Sequence, residues 1–338
     1  MSNRVKWLVV AAISVVAIGA TVVVGLFAWQ QYRLRQDAPS AADTTASRDW
    51  DSGDRVVFRN TAPGQGYGLV ASVPLSDPSA ARAVTDTACD RVDAADDEFS
   101  CLRTERGIVP SYTATLYAND EKPVADWPLA GIPSRTRISP DASLIATTAF
   151  VSGHTYAAVG FSTETLLHTR EGESLGNLET FTLIIDGAPA APVDRNFWGV
   201  TFVDDTTFYA TAQTGGITYL VRGDLDKRTL TAIAEGVECP SLSPDGTRIA
   251  FKRVTSGSGP AVHWTPAIMD LSTGQFELLP ESRNVDDQVE WLDDGTILYG
   301  LPRENTPGDT DVWALAIDGK SKPRLFIEHA WSPSVVRQ

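Results

Sequence analysis

SPDGTRIAFKRV, at residues 243–254, is the clearest copy of a phrase that returns along this 338-residue chain. In it an acidic turn is followed directly by a strand whose apolar and polar residues alternate. Related phrases are SPDASLIATTAF from Ser139, VDDTTFYATAQ from Val203 and LDDGTILYGL from Leu292. A phrase that recurs in this way indicates a repeat architecture, in which each copy is one structural unit.

The spacing of the copies predicts which repeat this is. Their central acids are Asp141, Asp205, Asp245 and Asp294. These acids lie 64, 40 and 49 residues apart, which brackets the period of roughly 40 to 50 residues of a four-stranded propeller blade. The turns DLSTGQ from Asp270 and AIDGKS from Ala316 predict hairpins between outer strands. After the first fifty residues no long stretch has helical periodicity, so we expect an all-β fold.

The two ends of the repeat region predict how it closes. HAWSPSVV from His329 resembles the strand that enters the repeat, and WDSGDRVVFRN from Trp50 resembles the strand that should follow it. A C-terminal strand that completes the first blade would remove the two free edges of an open sheet. With that blade, a less regular one at 101–120 and the four clear copies, we predict a β-propeller of about six blades over residues 50–338. Five or seven blades are the alternatives.

The phrases SPDGTRIAF and SPDASLIATT resemble the repeat of TolB-type propellers, which also recurs in the non-catalytic propeller of prolyl oligopeptidases and in WD-repeat-like proteins. The likeness covers most of residues 50–338 and is close only at 243–251, because the copies at Val203 and Leu292 lack the Ser-Pro pair. It implies a six-bladed propeller that binds other envelope proteins. The chain differs from that family in its apolar N-terminal run and in leaving no room for an additional α/β domain. The family's lipoprotein partner is therefore not carried over.

The first fifty residues predict a membrane anchor and a tether. Residues 7–29 carry no charge, and as a helix they span about 35 Å, more than the roughly 30 Å of a bilayer's hydrocarbon core. A cleaved signal peptide is the alternative, but its apolar region is shorter and ends in small residues. The two sides of this run carry equal numbers of nearby basic residues, so charge does not determine its orientation. We infer that the N-terminus lies inside, because a first segment of six residues is easily kept there while the rest of the chain is exported. We expect a cytoplasmic segment at 1–6, a single-pass transmembrane helix at 7–29, a flexible linker at 30–49 and an extracytoplasmic propeller.

The charge balance excludes one class of partner. Residues 37–338 contain all 43 acidic residues and 24 of the 28 basic ones, a net charge of −19. Such a surface repels nucleic acid and anionic lipid. We therefore expect no nucleic-acid partner, and we expect the propeller not to lie flat on a bilayer.

The three cysteines are interpreted separately. Cys89 and Cys101 bracket DRVDAADDEFS, which we expect to be a solvated acidic loop, and in an exported domain we predict a disulfide between them. Two unrelated thiols are the alternative. Cys239 is expected in a buried inner strand as a small apolar residue, because the local sequence offers it no base or positive charge.

No motif predicts catalysis, a cofactor or a metal. SGSGP from Ser256 lacks the strand-to-helix context of a hydrolase nucleophile. Adjacent carboxylates such as Asp286 and Asp287 are explained by turns, and GDTDVW from Gly308 is a weak cation candidate. Four histidines lack zinc-site spacing: His154, His168, His263 and His329.

These observations lead to one hypothesis and two alternatives. The hypothesis is a membrane-anchored, non-catalytic module of the cell envelope that presents loops around a central channel to a protein or peptide partner. The first alternative is a propeller enzyme of the hydrolase class, or a receptor for a glycan or cation. The second is a purely structural anchor in a larger complex.

Overall fold

Six sheets surround a common axis and follow an N-terminal helix, and within each sheet the four blade strands run antiparallel. The computed structural model describes residues 3–45, 50–151 and 162–338. Helix α1 (Asn3–Gln36) and the two-residue strand β1 (Thr44–Thr45) precede the first blade. Each sheet is one blade, and its strands are hydrogen-bonded in order from the axis outward.

The first three blades are as follows. The first contains β2 (Arg55–Asn60), β3 (Leu69–Pro74) and β4 (Arg82–Ala88). The second contains β5 (Arg91–Ala95), β6 (Glu98–Glu105), β7 (Ser111–Ala118) and β8 (Pro123–Pro128). The third contains β9 (Ile132–Ile138), β10 (Leu144–Val151), β11 (Ser162–Thr169) and β12 (Ser174–Asn177). A 3-10 helix (Leu178–Thr180) follows.

The remaining blades complete the ring. Strands β13 (Thr182–Ile185) and β14 (Ala188–Ala190) precede the fourth blade, which contains β15 (Asn196–Phe202), β16 (Thr207–Thr214), β17 (Ile217–Asp224) and β18 (Thr229–Glu235). The fifth contains β19 (Glu238–Leu242), β20 (Arg248–Ser256), a 3-10 helix (Gly259–Ala261), β21 (His263–Asp270) and β22 (Phe276–Leu278). The sixth contains β23 (Glu290–Asp293), β24 (Thr296–Pro302), β25 (Thr310–Ala316) and β26 (Arg324–Ile327), and β27 (Ala330–Val336) ends the fold.

The ring closes as the sequence predicts. Strand β27 is the innermost strand of the first blade and pairs antiparallel with β2, from Arg55 opposite Val336 to Asn60 opposite Ala330. The Ser334 hydroxyl donates to the Ala94 carbonyl of the second blade at 3.0 Å. The predictions of a closed propeller and of six blades are confirmed, and the predicted outer hairpins β21–β22 and β25–β26 are present.

The apolar core lies between neighbouring blades. Between the second and third blades, Leu102 and Leu116 of one sheet and Ile145 of the other are fully buried in one cluster. Because strand residues alternate between the two faces of a sheet, every blade presents apolar side chains to both neighbours. Burial of each such side chain contributes about 2 kcal/mol, so the blades stabilise one another around the ring.

The recurring phrase builds the turn between the first and second strands of a blade. In the fifth blade the Ser243 hydroxyl donates to Asp245 Oδ1 at 2.5 Å and accepts the Arg248 backbone N–H at 2.9 Å. Asp245 Oδ1 also accepts the backbone N–H of Thr247 at 3.0 Å. The Ser-Pro-Asp phrase is therefore a self-contained hydrogen-bonded turn, which explains its recurrence independently of any ligand.

In the two copies without Ser-Pro, the acid that closes the turn differs from the predicted one. Asp204, not Asp205, accepts the backbone N–H groups of Thr206 at 2.9 Å and Thr207 at 2.7 Å. In the sixth blade the Gly295 N–H donates to Asp293 at 2.8 Å. The predicted central acid there, Asp294, instead accepts the N–H of Asp245 and joins two neighbouring turns.

Two blades depart from the expected boundaries. The second blade covers residues 91–128 rather than 101–120, because the stretch expected as a solvated acidic loop forms β5 and the start of β6. The 64-residue spacing between the acids of the third and fourth blades reflects the hairpin β13–β14. Strand β13 pairs in parallel with the outermost strand β18 and widens the fourth sheet to six strands.

The ring has two ends, which we name by their connections. The turn face carries the connections between the first and second strands of each blade, such as 139–143 and 243–247. The loop face carries the connections between second and third strands, such as 61–68 and 106–110, and the crossings from blade to blade. Strands alternate in direction, so these two sets of connections lie at opposite ends of the ring.

The N-terminal segment differs from the expected linker. Residues 3–30 form a helix long and apolar enough to span a membrane, and the same helix continues to Gln36. The next residues lie on the first blade: Ala38 accepts the N–H of Gln65, and Ala41 donates to Pro63, both at 2.9 Å. A Cβ atom on Gly64 would lie 2.3 Å from the carbonyl of Pro39, so the two backbones are in close contact. Only residues 46–49 of the expected flexible linker fall outside the described residues.

Cys89 and Cys101 are joined by a disulfide with an Sγ–Sγ distance of 2.01 Å. The bond connects the crossing that enters the second blade to β6, and both residues are buried beside Trp50 and Phe99. The bridge therefore lies inside the interface between the first and second blades rather than on an exposed loop.

We expect Asp204→Ala to destabilise the protein by about 1 kcal/mol, because several turn hydrogen bonds lose their acceptor. The matched variant Asp205→Ala should stay within about 0.5 kcal/mol of the wild type, as for an ordinary surface substitution. Urea unfolding followed by tryptophan fluorescence measures both. Equal losses in the two variants would contradict the assignment of the turn to Asp204.

We expect the double variant Cys89→Ser/Cys101→Ser to lose about 3 kcal/mol of stability, the value that loop closure predicts for a ring of this length. The reference is the single variant Cys239→Ser, which leaves the bridge intact. Both are compared with the wild type by thermal unfolding without reductant. A double variant as stable as the wild type would show that the bridge does not restrict the unfolded chain.

Candidate functional site at the channel mouth

The innermost strands of the six blades line a narrow axial channel. Along β5, Arg91 and Asp93 are two residues apart and point to the same side of the strand; Arg135 and Arg137 do so along β9. Arg135 and Arg137 are buried and Arg91 is mostly buried, and each contacts a partner from outside its own blade. The charged residues of these strands therefore face the axis and not the solvent.

Nearest the turn face, Arg137 is held between two carboxylates. Its Nη1 lies 3.2 Å from Asp93 Oδ1 and 2.6 Å from Glu290 Oε2. The other oxygen of Asp93 accepts the backbone N–H of Ile138 at 2.8 Å. This cluster joins the inner strands of the second, third and sixth blades.

One guanidinium cannot neutralise both carboxylates of this cluster. Burial raises the pKa of Asp93 to about 7, and the neighbouring Glu290 charge adds to the effect against the opposing pull of Arg137. The Asp93 carboxyl therefore keeps its proton to a much higher pH than an exposed aspartate does.

Further toward the loop face, a second set of ion pairs fills the channel. Arg91 Nη1 lies 2.8 Å from Asp287 Oδ1, and its guanidinium stacks over the Trp331 ring at 4.7 Å. Lys252 forms an ion pair with Asp286 and lies 4.4 Å from the centre of the Trp264 ring. Asp286 and Asp287, interpreted from the sequence as turn acids, thus neutralise channel cations.

Cys239 has the positive neighbour that its local sequence lacks. Its Sγ lies 3.0 Å from Nε of Arg135, which stands on the inner strand of the third blade, 104 residues away. Cys239 has a backbone φ of +51°, and a Cβ on Gly199 would lie 2.7 Å from its Cα. The prediction that it is buried is correct, but the expectation of apolar surroundings is wrong, because the guanidinium comes from a distant blade.

A cavity of about 510 Å³ opens at the turn-face end of the channel. All six blades line it, with residues Asp93, Ala94, Ala95, Asp96, Arg137, Ile138, Pro140, Thr201, Phe202, Val203, Ser241, Leu242, Ser243, Pro244, Asp245, Gly246, Glu290, Trp291, Ser334, Val335, Val336 and Arg337. Its floor is the Arg137 cluster. A volume of this size holds one side chain or a short peptide turn.

The rim of this cavity is acidic. Each of the five connections between first and second strands carries at least one carboxylate, and so does the segment that leads into β2, where Asp54 lies 3.8 Å from Arg337. These acids are Asp54, Asp96, Asp97, Asp141, Asp204, Asp205, Asp245, Asp293 and Asp294. Hydrogen bonds from Ser243 and Thr247 lower the pKa of Asp245 to about 2, so it remains ionised under all ordinary conditions. The mouth therefore presents a ring of negative charge to solvent.

The three histidines in the described part of the chain lie apart from this mouth. Burial lowers the pKa of His168 to about 4, and its ring stacks on Trp127 with centroids 4.3 Å apart. His329 Nδ1 lies 2.9 Å from both carboxylate oxygens of Asp309, on the loop face. His263 begins β21, and His154 falls outside the described residues.

The weak cation candidate at 308–313 is occupied by protein groups. Asp311 Oδ1 accepts from Arg303 Nε at 2.7 Å and from the His329 backbone N–H at 2.9 Å. Asp309 is paired with the His329 ring. Across residues 3–45, 50–151 and 162–338, no three His, Cys, Asp or Glu side chains are placed to hold a metal ion.

Comparison with known proteins supports the architecture. No protein-family model and no curated protein sequence matches the chain. TolB from Acinetobacter baumannii is a similar solved structure, with 16% identity, a TM-score of 0.57 and coverage of 86% of this chain and 68% of that chain. A putative TolB from Agrobacterium tumefaciens is 12% identical, with a TM-score of 0.48 and coverage of 83% and 91%.

A puromycin-hydrolyzing peptidase from Mycobacterium tuberculosis is also similar, with 12% identity, a TM-score of 0.49 and coverage of 87% of this chain and 48% of that chain. At these identities the likeness concerns the fold alone, which is that of a TolB-like six-bladed propeller. The fold therefore does not by itself assign a function.

We expect the wild type to lose about 2 kcal/mol of its free energy of unfolding between pH 5 and pH 8 through Asp93. The variant Asp93→Asn lacks this titrating group and should not show that loss. Between the ordinary pKa of 3.8 and the folded value of about 7, the native state keeps a proton that the unfolded state releases. Stability from this group is therefore lost as pH rises through that range. Urea unfolding across pH measures it, with the exposed-turn variant Asp226→Asn as control. A parallel pH profile for wild type and Asp93→Asn would refute the buried proton.

Proposed function

Starting from a TolB-like propeller preceded by an apolar helix, we propose that this protein is a membrane-anchored binding module of the cell envelope. Its N-terminus lies inside, its propeller lies outside the cytoplasm, and it acts without catalysis. The cavity on the turn face receives an extended, basic segment of a protein partner. The observation that carries this proposal is a cavity lined by all six blades and ringed by carboxylates.

The chemistry of the mouth favours a basic segment. Lysine and arginine side chains are attracted by the ring of ionised carboxylates, which steers encounter over distances of about a Debye length. Inside the mouth, Ser241 and Ser334 lie on the wall but are buried and hydrogen-bonded within the propeller, so we assign recognition of the basic side chains to the rim carboxylates. In the floor of the cavity, Arg137 is already paired with Asp93 and Glu290. We therefore propose that the carboxylates of the rim contact the partner and that the floor only supports the rim.

The positions of the described hydroxyl and thiol side chains support the proposal that the protein acts without catalysis. His329 and Asp309 are placed like a general base and its orienting acid, but in the described part of the chain no hydroxyl or thiol is hydrogen-bonded to the free nitrogen of His329. Ser256 ends strand β20 and is followed by a short 3-10 helix, which differs from the strand-to-helix elbow of a serine hydrolase.

The test measures binding of a labelled peptide of alternating lysine and glycine to the full chain in lipid nanodiscs, by fluorescence anisotropy. The variant Asp96→Asn/Asp205→Asn removes two rim charges, and we expect it to weaken binding about fivefold, since each exposed charge contributes roughly 0.5 kcal/mol. The difference should shrink as salt is added. A peptide with glutamate in place of lysine should not bind.

The matched control is Asp186→Asn/Asp226→Asn, which removes the same charge from outer connections of the fourth blade. It should bind the lysine peptide within twofold of the wild type. If both double variants lose affinity equally, the effect belongs to net charge and the assignment to the mouth is wrong. Hydrolysis of the peptide that His329→Gln abolishes would instead favour the hydrolase alternative.

A further inference from the structure

Exposed apolar side chains are concentrated on one end of the propeller. On the loop face, large apolar side chains are exposed in four blades: Ile108, Val109, Ile132, Val193, Ile217 and Val254. Ile108 is fully exposed and Val109 is 82% exposed, at the tip of the β6–β7 connection. At the turn-face end, Val203, Phe276 and Leu325 are 39%, 44% and 41% exposed, less than half the exposure of Ile108. Such an asymmetric apolar surface marks an interaction face.

The tip of the β6–β7 connection differs in charge from the turn-face mouth. The carboxylate ring described above surrounds the turn-face mouth, whereas the β6–β7 tip on the loop face carries Arg106 beside its apolar residues. An anionic headgroup layer repels the carboxylate ring of the mouth, whereas the tip at 106–110 contains no carboxylate. The loop face carries exposed acids elsewhere, such as Asp194, Glu304 and Glu328, so the tip and not the whole face is suited to contact with lipid.

The chain length between the apolar helix and the propeller keeps the loop face near the membrane. Helix α1 continues only from Gln30 to Gln36 beyond the apolar stretch, a rise of about 10 Å. Two residues later, Ala38 is already hydrogen-bonded to Gln65, which belongs to the 61–68 connection of the loop face. Because each headgroup layer is roughly 5 to 8 Å thick, this connection lies at the membrane surface.

The β6–β7 tip belongs to the neighbouring blade on the same face. Strand β4 of the first blade leads through the crossing at Cys89 into β5 of the second blade, and their disulfide-linked interface fixes the two blades together. A membrane surface that the 61–68 connection touches is therefore within reach of the tip at 106–110. Isoleucine and valine at such a tip favour the boundary between headgroups and acyl chains.

We propose that the loop face of the propeller docks on the bilayer that holds α1, with Ile108 and Val109 entering the interfacial layer. This rests on the membrane anchoring proposed above and adds an orientation to it. The acidic mouth on the turn face then points away from the membrane, toward partners that approach from the far side. The occupant of the apolar face is the lipid surface itself, and no second protein is required.

The experiment is site-directed spin labelling of the full chain reconstituted in phosphatidylcholine vesicles. Single cysteines are introduced as Val109→Cys on the loop face, Val203→Cys on the turn face and Val16→Cys in α1. The native cysteines stay unlabelled, because Cys239 is fully buried and the other two are bridged. Power saturation compares collisions of each label with oxygen, which concentrates in lipid, and with a nickel chelate, which stays in water.

The proposal expects the Val109→Cys label to collide more with oxygen than with nickel, as the label at Val16→Cys does, and the Val203→Cys label to show the reverse. A label at Val109→Cys that behaves like Val203→Cys, while Val16→Cys lies in hydrocarbon, overturns the docking and leaves the anchor intact. A label at Val16→Cys that is exposed to water overturns the anchor and the docking together. The Val203→Cys site is the matched control, since both residues are exposed valines.

A second variant tests the tip without a label on it. Ile108→Asp/Val109→Asp should raise nickel collisions of a label at Ile132→Cys about threefold, while Val203→Asp should leave them unchanged. Ile132 starts β9 on the same face and is more than half exposed. Spin–spin broadening that grows with the protein-to-lipid ratio would assign the apolar face to a second copy of the chain and refute a lipid occupant.

Discussion

The pairing of β27 with β2 is the constraint on which the rest of the structure depends. It gives the first blade its innermost strand and removes the two edges that an open ring would leave unpaired. Only in a closed ring do the six inner strands meet around one axis, so the channel, its ion pairs and the cavity at its mouth all follow from this contact. The hydroxyl of Ser334, bonded to the next blade, fastens the closing strand to its neighbour.

The sequence was a good guide to this architecture and a poor one to the channel. Phrases such as SPDG encode local turns, whose hydrogen bonds join residues two to five positions apart. Repeats of local structure are visible along a chain, and so the blade number and the closing strand could be predicted. Where the phrase degenerates, as at Asp204 and Asp205, the local pattern no longer identifies which acid accepts the bonds.

The channel depends on contacts that no local pattern contains. Arg137 meets Asp93 and Glu290, which lie 44 and 153 residues away along the chain. Strand β5 carries charges at the positions where a core strand usually carries valine or isoleucine, so its sequence resembles an exposed acidic loop. Cys239 and Arg135 lie 104 residues apart, so their contact is likewise invisible in the local sequence. In a propeller the inner strands of all blades meet around one axis. Only the closed ring therefore shows which charged side chains neutralise one another.

The closing strand also determines the order in which parts of the protein can fold. A chain is synthesised from its N-terminal end, so α1 and the two bridged cysteines are made long before β27 is. The bridge between Cys89 and Cys101 spans a separation of only 12 residues and needs nothing downstream of β6. Until residues 330–336 are made, however, β2 has an unpaired edge. Newly made chains therefore pass through an unclosed state that chaperones and proteases can recognise, and a chain shortened by a few residues at its end remains in it.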